Sequence, residues 1–386
     1  MQVCYTNDVD AWLSESTQFS FVNIVKACGI PIEIIVKSKP TSKDIVVLEP
    51  LKAERSFEQH MQSCIEACCK TIPKIVVFHP ADQYNWAANK AILDILIQYQ
   101  YPPDKIFWIS GDFYSPDNPE YINKENMFYW QYFAYKTKHL TLPNKSKTLP
   151  HKKFILPIYA PRTSRRYLLS KLSQAGMLEQ GHISCVRQMC EDLKTYNDYA
   201  RMLLPDHELY DVQQTTLKHI PVRENNFLPQ QPLIMDKTPT TTLASWNHSS
   251  SMLTLADFYR ASDFVVSAES GINFQKAGIP STGFLTEKTF IAIRLGMPFV
   301  VHGESDLLQS LQQQGYLTFA DDINEEYDKE RDFVKRTAKC INAIQEFCSV
   351  KNFDIFKKTV NHNYNTLMNT DHAQSLLQTL TKVTLA

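Results

Sequence analysis

Two consecutive α/β domains, each a Rossmann-like parallel sheet covered by helices, are what this sequence predicts, on three observations. At 386 residues the chain exceeds what one hydrophobic core organises. Short apolar runs alternate with helical stretches, the order that gives parallel sheets covered on both faces. A polar, basic, proline-broken segment near 137–153 interrupts that order, which then restarts. The domains are placed at 1–145 and 146–386, with the last helix free to pack back on the first. Facing one another, they would enclose an interdomain cleft, and open parallel sheets bind ligands beyond the carboxyl ends of their strands.

In the first domain the apolar runs "IEIIV", "IVVL", "KIVVFH" and "KIFWIS" read as buried strands. Between them, "ERSFEQHMQSCIEACCK" and "WAANKAILDILIQYQ" carry a helical period, the second stopped by Pro102-Pro103. "FYWQYFAYKT" reads as one further strand. In the second domain "KFILPIYA" is a strand, while "SRRYLLSKLSQAGML" and "QMCEDLKTYNDYARMLL" are helices. A stretch from about 205 to 250, rich in Pro, Thr, Gln and Asn, has no period and is expected to run over the surface. Strand and helix then alternate through "DFVVSAES", "TEKTFIAIRLG", "PFVVHG", "DLLQSLQQQG" and "YLTF", ending in a charged helix from about 325 to 348.

Composition excludes several classes. The chain is 44% hydrophobic and 21% charged, with no apolar run near the ~20 residues that span a bilayer, and no basic patch and apolar run at its start. A cytoplasmic location is expected. A net charge of -1 speaks against a large nucleic-acid surface. Nine cysteines without CxxC or zinc spacing argue for reduced thiols, and Cys64, Cys68 and Cys69 are expected in the core. Only 10 glycines occur, where usage near ~7% would supply more than twice as many. Six of them fall between 271 and 315, so unusual backbone geometry is concentrated there.

That region holds "GFLTEKTFIAIRLGMPFVVHG". Thr286 can cap a helix, which puts Glu287 and Lys288 in its first turn, where free N–H groups and the dipole favour anions. Glu287 is ordinary there and Lys288 is not. A solvated lysine beside a capping glutamate is one reading; a phosphate held at the helix start, serving both the lysine and the N–H groups, is the other. The wider arrangement favours the second. One strand ends in Glu269 and Ser270, the helix opens with Glu287-Lys288, and "MPFVVHG" brings another strand to the same edge. Such an edge suits a nucleotide, a carboxylate accepting from ribose hydroxyls and a lysine meeting the diphosphate. A second basic feature, "YAPRTSRRYLLSKL", puts Arg162, Arg165 and Arg166 at a strand-to-helix turn where guanidinium forks could grip phosphate oxygens; a basic surface turn is the alternative.

The segment "SAES...GFLTEKTFIAIRLGMPFVVHG", followed by "GESDLLQSLQQQGYLTF", "DDINEEYDKERD" and Arg336, resembles the nucleotide-sugar signature of the α-1,3-fucosyltransferase family and its bacterial and phage relatives. The resemblance covers roughly 255–340. It implies a GT-B architecture with the donor nucleotide held mainly by the second domain. Carried over, Glu287 binds the ribose, Lys288 the diphosphate, and Glu269 lies near the nucleotide or sugar; an arginine is also expected in the 162–166 turn. Ala268-Glu269-Ser270 lacks the Asn that fucosyltransferases place between Glu and Ser, which leaves the donor sugar open.

The expected function is sugar transfer from a nucleotide-diphosphate sugar to an acceptor hydroxyl, on a glycan or another hydroxyl-bearing partner, by a metal-independent inverting displacement. No Asp-x-Asp follows an apolar strand, and Asp321-Asp322 reads as a solvated helix start, so no metal or other cofactor is expected. A base from the first domain would take the acceptor proton; His79 and Asp112, each after an apolar strand, lead Asp82 as candidates. The alternatives are a silent carbohydrate- or nucleotide-binding module of the same fold, and a transferase acting on modified nucleic acid.

Overall fold

The computed structural model describes residues 2–5, 21–31, 33–36, 40–48, 55–79, 86–111, 123–140, 148–158, 163–184, 255–269 and 285–386. The helix expected at 188–204 and the polar stretch at 205–250 lie outside them.

The chain divides into two compact units. Of the described residues, the first holds those within 1–135 and 371–386, and its six strands are all parallel, in the order β2-β1-β3-β4-β5-β6. They are β1 (Gln2–Tyr5), β2 (Glu33–Val36), β3 (Ile45–Leu48), β4 (Lys74–His79), β5 (Ile106–Ser110) and β6 (Met127–Tyr129). Between β1 and β2 runs α1 (Phe21–Ala27), between β3 and β4 α2 (Arg55–Cys69), and between β4 and β5 α3 (Trp86–Gln98). Every residue of β3 is buried, as a strand covered by helices on both faces requires. Cys64 and Cys68 of α2 and Ile92, Leu93 and Leu96 of α3 share one core with Val46, Ile75, Val77 and Ile106. Cys69 is half-buried.

The run "FYWQYFAYKT" is a correction. It supplies the edge strand β6 and then the helix α4 (Tyr132–Lys138) rather than a single strand. Aromatic β-propensity yields here because only three residues have a partner on β5, and Gln131 Oε1 then accepts from Phe133 N, 3.3 Å, at the start of the helix. The elements β1 and α1 have no counterpart in the sequence reading, being too short to carry a period. The C-terminal helix α11 (His372–Leu385) belongs to the first unit. Trp130 Nε1 donates to the His372 carbonyl at 2.8 Å, and Lys74 Nζ donates to the carbonyls of Val383 and Thr384 at the helix's other end.

The second unit holds the described residues between 136 and 370 and has four parallel strands in the order β10-β9-β7-β8. These are β7 (Lys152–Pro157), β8 (Gly181–Ser184), β9 (Ser262–Ala268) and β10 (Phe299–His302). Its helices are α5 (Thr163–Gln174), α6 (Ala256–Arg260), α7 (Glu287–Arg294), α8 (Leu307–Gln313), α9 (Phe333–Ser349) and α10 (Lys357–Asn369). From β7 the chain moves to β8 on one side and to β9 on the other, so strand order reverses between β7 and β9. In open parallel sheets that reversal opens a crevice at the carboxyl ends.

"YLTF" is a second correction. Tyr316 and Phe319 are buried as a strand's would be, but no ladder forms. Asn363 takes the partner strand's place, accepting from Leu317 N at 2.7 Å and donating to the Leu317 carbonyl at 2.9 Å. Glu325 accepts from Phe319 N at 2.9 Å. The charged helix begins at Phe333, capped by Asp332, instead of near 325. Among the described residues no helix is long and apolar enough to cross a membrane.

Candidate functional site

The carboxyl edge of β9, β7 and β10 gathers the charged residues the sequence singles out. His302 ends β10 opposite Ala268 of β9, and Glu269 N donates to the His302 carbonyl at 2.7 Å. Across the strand reversal, Arg165 of α5 donates from Nε to the Ala268 carbonyl at 3.0 Å. The first turn of α5 and the end of β9 therefore touch.

Glu269 is fully buried, and four donors surround its carboxylate. Thr286 N (3.1 Å), Thr289 Oγ1 (2.6 Å) and Ser267 Oγ (3.2 Å) donate to Oε1, and Thr286 Oγ1 donates to Oε2. Its oxygens are thus engaged by the protein. Gly303 leaves room for this node: a Cβ there would lie 3.1 Å from Glu269 Cβ and 2.6 Å from Leu307 Cδ1.

Thr286 caps α7 as its sequence position requires, accepting from Lys288 N. The same oxygen accepts from Lys288 Nζ at 3.0 Å, and that ammonium also pairs with Glu287 Oε1 at 2.9 Å. Lys288 is 3% exposed and Glu287 12%. Burial pushes the Glu287 carboxyl up, but Lys288, the residue's own N–H and Arg165 outweigh it and hold the group at about 2. Burial pulls the Lys288 ammonium down, Glu287 pulls it back, and the Arg165 guanidinium lowers it again. Two buried cations from separate chain segments thus act on one another. Lys136, where α4 enters the second unit, joins them: burial brings it down to about 6 although Glu287 raises it. Nothing in its local sequence marked it. Arg166 is also buried.

His302 and Arg336 lie behind this edge. Arg336, 1% exposed, donates from Nε to the Gly303 carbonyl (2.9 Å) and from Nη1 to the Glu330 carbonyl (2.7 Å). Thr337 Oγ1 gives its own proton to the Phe333 carbonyl, so it accepts from His302 Nε2–H at 3.0 Å, and His302 Nδ1 carries the lone pair. Burial, Arg336 and Arg165 push the imidazole down to about 3. A buried histidine at a strand end gives no sequence signal of such a role.

Of the remaining candidates, Arg162, Ser270, Asp82 and Asp112 lie outside the described residues, and so does the His79 side chain; the His79 backbone ends β4 opposite Ser110. Asp321 and Asp322 are exposed in a turn rather than a helix start. Among the described residues no three His, Cys, Asp or Glu side chains are placed to hold a metal ion. An open cavity of about 430 Å³ lies at the opposite, amino edge of the second sheet, lined by Arg260, Asp263, Arg294, Phe353, Asp354 and Lys357. Its Arg260 and Lys357 are paired with Asp257 and Asp354, so we place the candidate site at the carboxyl edge.

The α/β class with two parallel sheets is therefore established by the topology itself. Comparison with solved structures returns the BGT protein of T4 phage with its UDP-glucose substrate, at TM-score 0.40 and 11% identity over 99% of this chain and 98% of that one. It also returns a DNA-modifying β-glucosyltransferase studied with and without uridine diphosphoglucose, at TM-score 0.41 and 10% identity over 100% and 99%. No protein-family model and no curated protein sequence matches the chain.

Proposed function

We propose that the chain is a glycosyltransferase of GT-B architecture that moves a sugar from a nucleotide-diphosphate donor to an acceptor hydroxyl, with inversion and without a metal. One observation carries this reading: Lys288 and Arg165, buried cations from separate segments, meet where strand order reverses at the carboxyl edge. A diphosphate there would relieve their mutual repulsion and accept bonds from both. To do so it takes the Lys288 ammonium from Glu287 or Thr286, and a Glu287 released in that way can accept from ribose hydroxyls. Arg166, buried beside Arg165 in α5, adds a further cation. Preorganised positive charge at the departing diphosphate lowers the barrier directly, which is the service a metal would otherwise perform. His79 and Asp112 remain the candidates for removing the acceptor proton. The fucosyl subtype forms no part of the proposal, because Glu269 is followed directly by Ser270.

A thermal-shift panel of uridine, guanosine and adenosine diphosphates and their sugars tests the reading. A ligand at a hundredfold excess over Kd stabilises by about 2.7 kcal/mol, which moves the midpoint by roughly 2–4 °C. One base should give that shift, Lys288→Met should abolish it while still unfolding cooperatively, and the matching donor should release nucleoside diphosphate. A panel without any shift in the wild type removes the proposal; a shift without release points to a silent binding module.

A further inference from the structure

We propose that Glu269 is a positioning residue, which sets the Lys288 ammonium through the Thr286 hydroxyl and makes no contact of its own with the ligand. The inference rests on the donor-site reading above and goes beyond the family resemblance, which implies for Glu269 only a place near the nucleotide or sugar.

The argument is one of hydrogen-bond direction. Thr286 Oγ1 faces three groups: Glu269 Oε2, Lys288 N and Lys288 Nζ. A hydroxyl has one proton and two lone pairs. Both lysine groups are donors, so they take the lone pairs, and the single proton goes to Glu269. The carboxylate thereby fixes the hydroxyl in the one rotamer that receives Lys288. Thr286 N on Oε1 fixes the capping residue itself, and Thr289 Oγ1, one turn into α7, holds the helix axis to the same oxygen. Thr289 Oγ1 has given its one proton to Glu269, so at 2.8 Å it accepts from Ser267 Oγ, whose proton is shared between Thr289 and Oε1, and this ties that turn to β9 as well. The node therefore locks strand end, helix start and lysine together, and Glu269, 0% exposed with donors on both oxygens, presents no open carboxylate face to a ribose.

Three measurements test it, the first without any ligand. Acetylation of Lys288 by acetic anhydride, mapped by mass spectrometry, should rise about tenfold in Glu269→Gln and in Thr286→Val, and return towards wild type in Thr286→Ser, which keeps the hydroxyl. Lys153, 41% exposed, is the internal standard and should not change. Unchanged Lys288 labelling in Glu269→Gln overturns the proposal whatever the protein binds. The second measurement compares inorganic pyrophosphate, which has no ribose, with the nucleoside diphosphate that binds best. A positioning role predicts the same loss for both, about tenfold; a loss confined to the nucleoside diphosphate means direct ribose contact and overturns it. In the third, Glu269→Gln should add nothing to the loss already caused by Lys288→Met, because both act through one ammonium; additive losses count against it. Should neither anion bind the wild type, the donor-site reading fails while the labelling result still decides the role of Glu269.

Discussion

Lys288 illustrates how one residue's meaning changes with its surroundings. On an open helix start it would be a solvated cation opposed by the dipole. In the folded chain it is 3% exposed, bonded to Thr286 and Glu287, and within the field of Arg165. Removing one partner of a buried pair leaves the other charge uncompensated, so Glu287→Ala should cost more than Lys288→Met. His302 supplies a prediction at the same scale. Its imidazole is held at about 3, below the ordinary 6.5. The unfolded chain takes up that proton below 6.5 and the folded chain does not until about 3, so stability from this group is present above 6.5 and is lost as pH falls through the window. Urea midpoints measured from pH 6.5 down to 4 should therefore fall less steeply in His302→Gln than in the wild type. Parallel slopes would mean that the histidine is not held neutral.

At the scale of elements, β9 and α7 act as one device, since the strand's last residues and the helix's first turn share the Glu269 carboxylate. The next helix, α8, is held by a different carboxylate. Asp328 accepts from Leu308 N at 2.9 Å and Gln309 N at 3.2 Å, and its carbonyl accepts from Asp306 N at 2.7 Å. Burial pushes Asp328 up to about 6 from 3.8, against the pull of those N–H groups. Here the sign is opposite to that of His302. Between about 4 and 6 the folded chain keeps a proton that the unfolded chain has released, so this group's contribution declines as pH rises through that range. Relative to Asp328→Asn, which cannot titrate, the wild type should lose stability between pH 4 and pH 7, read from urea midpoints at the two values. A constant difference would show that the capping carboxylate is not displaced from its ordinary range. Elements were partly legible in the sequence. The long apolar runs announced β3, β4, β5, β9 and β10, because fully buried strands need no alternation. "YLTF" has the same composition and is no strand, because a side-chain amide of α10 took the place of a neighbouring strand.

For the whole molecule, the last sixteen residues matter most for how the units are built. Leu376, Leu380 and Val383 of α11 are buried in the first unit, roughly 300 residues along the chain from β3 and β4. Burying such side chains is worth about 1.5–3 kcal/mol each, so a chain ending at Thr370 should lose about 5 kcal/mol or more from that unit alone. Hydrogen exchange reports it: amide protection in β3, β4 and β5 should fall while that in β7, β9 and β10 persists. Equal loss in both sheets would contradict the division into two units. What the sequence determined by itself was the alternation of strands and helices, the restart after the basic segment, and the capped start of α7, because periodicity and capping are local and are written in neighbouring residues. Only the tertiary structure decided that Arg165 reaches the end of β9, that the oxygens of Glu269 face the protein, and that Lys136 joins the charged edge. Those facts depend on which strand lies beside which. The pairing that decides the site, β7 with β9, joins segments more than a hundred residues apart, and no local pattern records it.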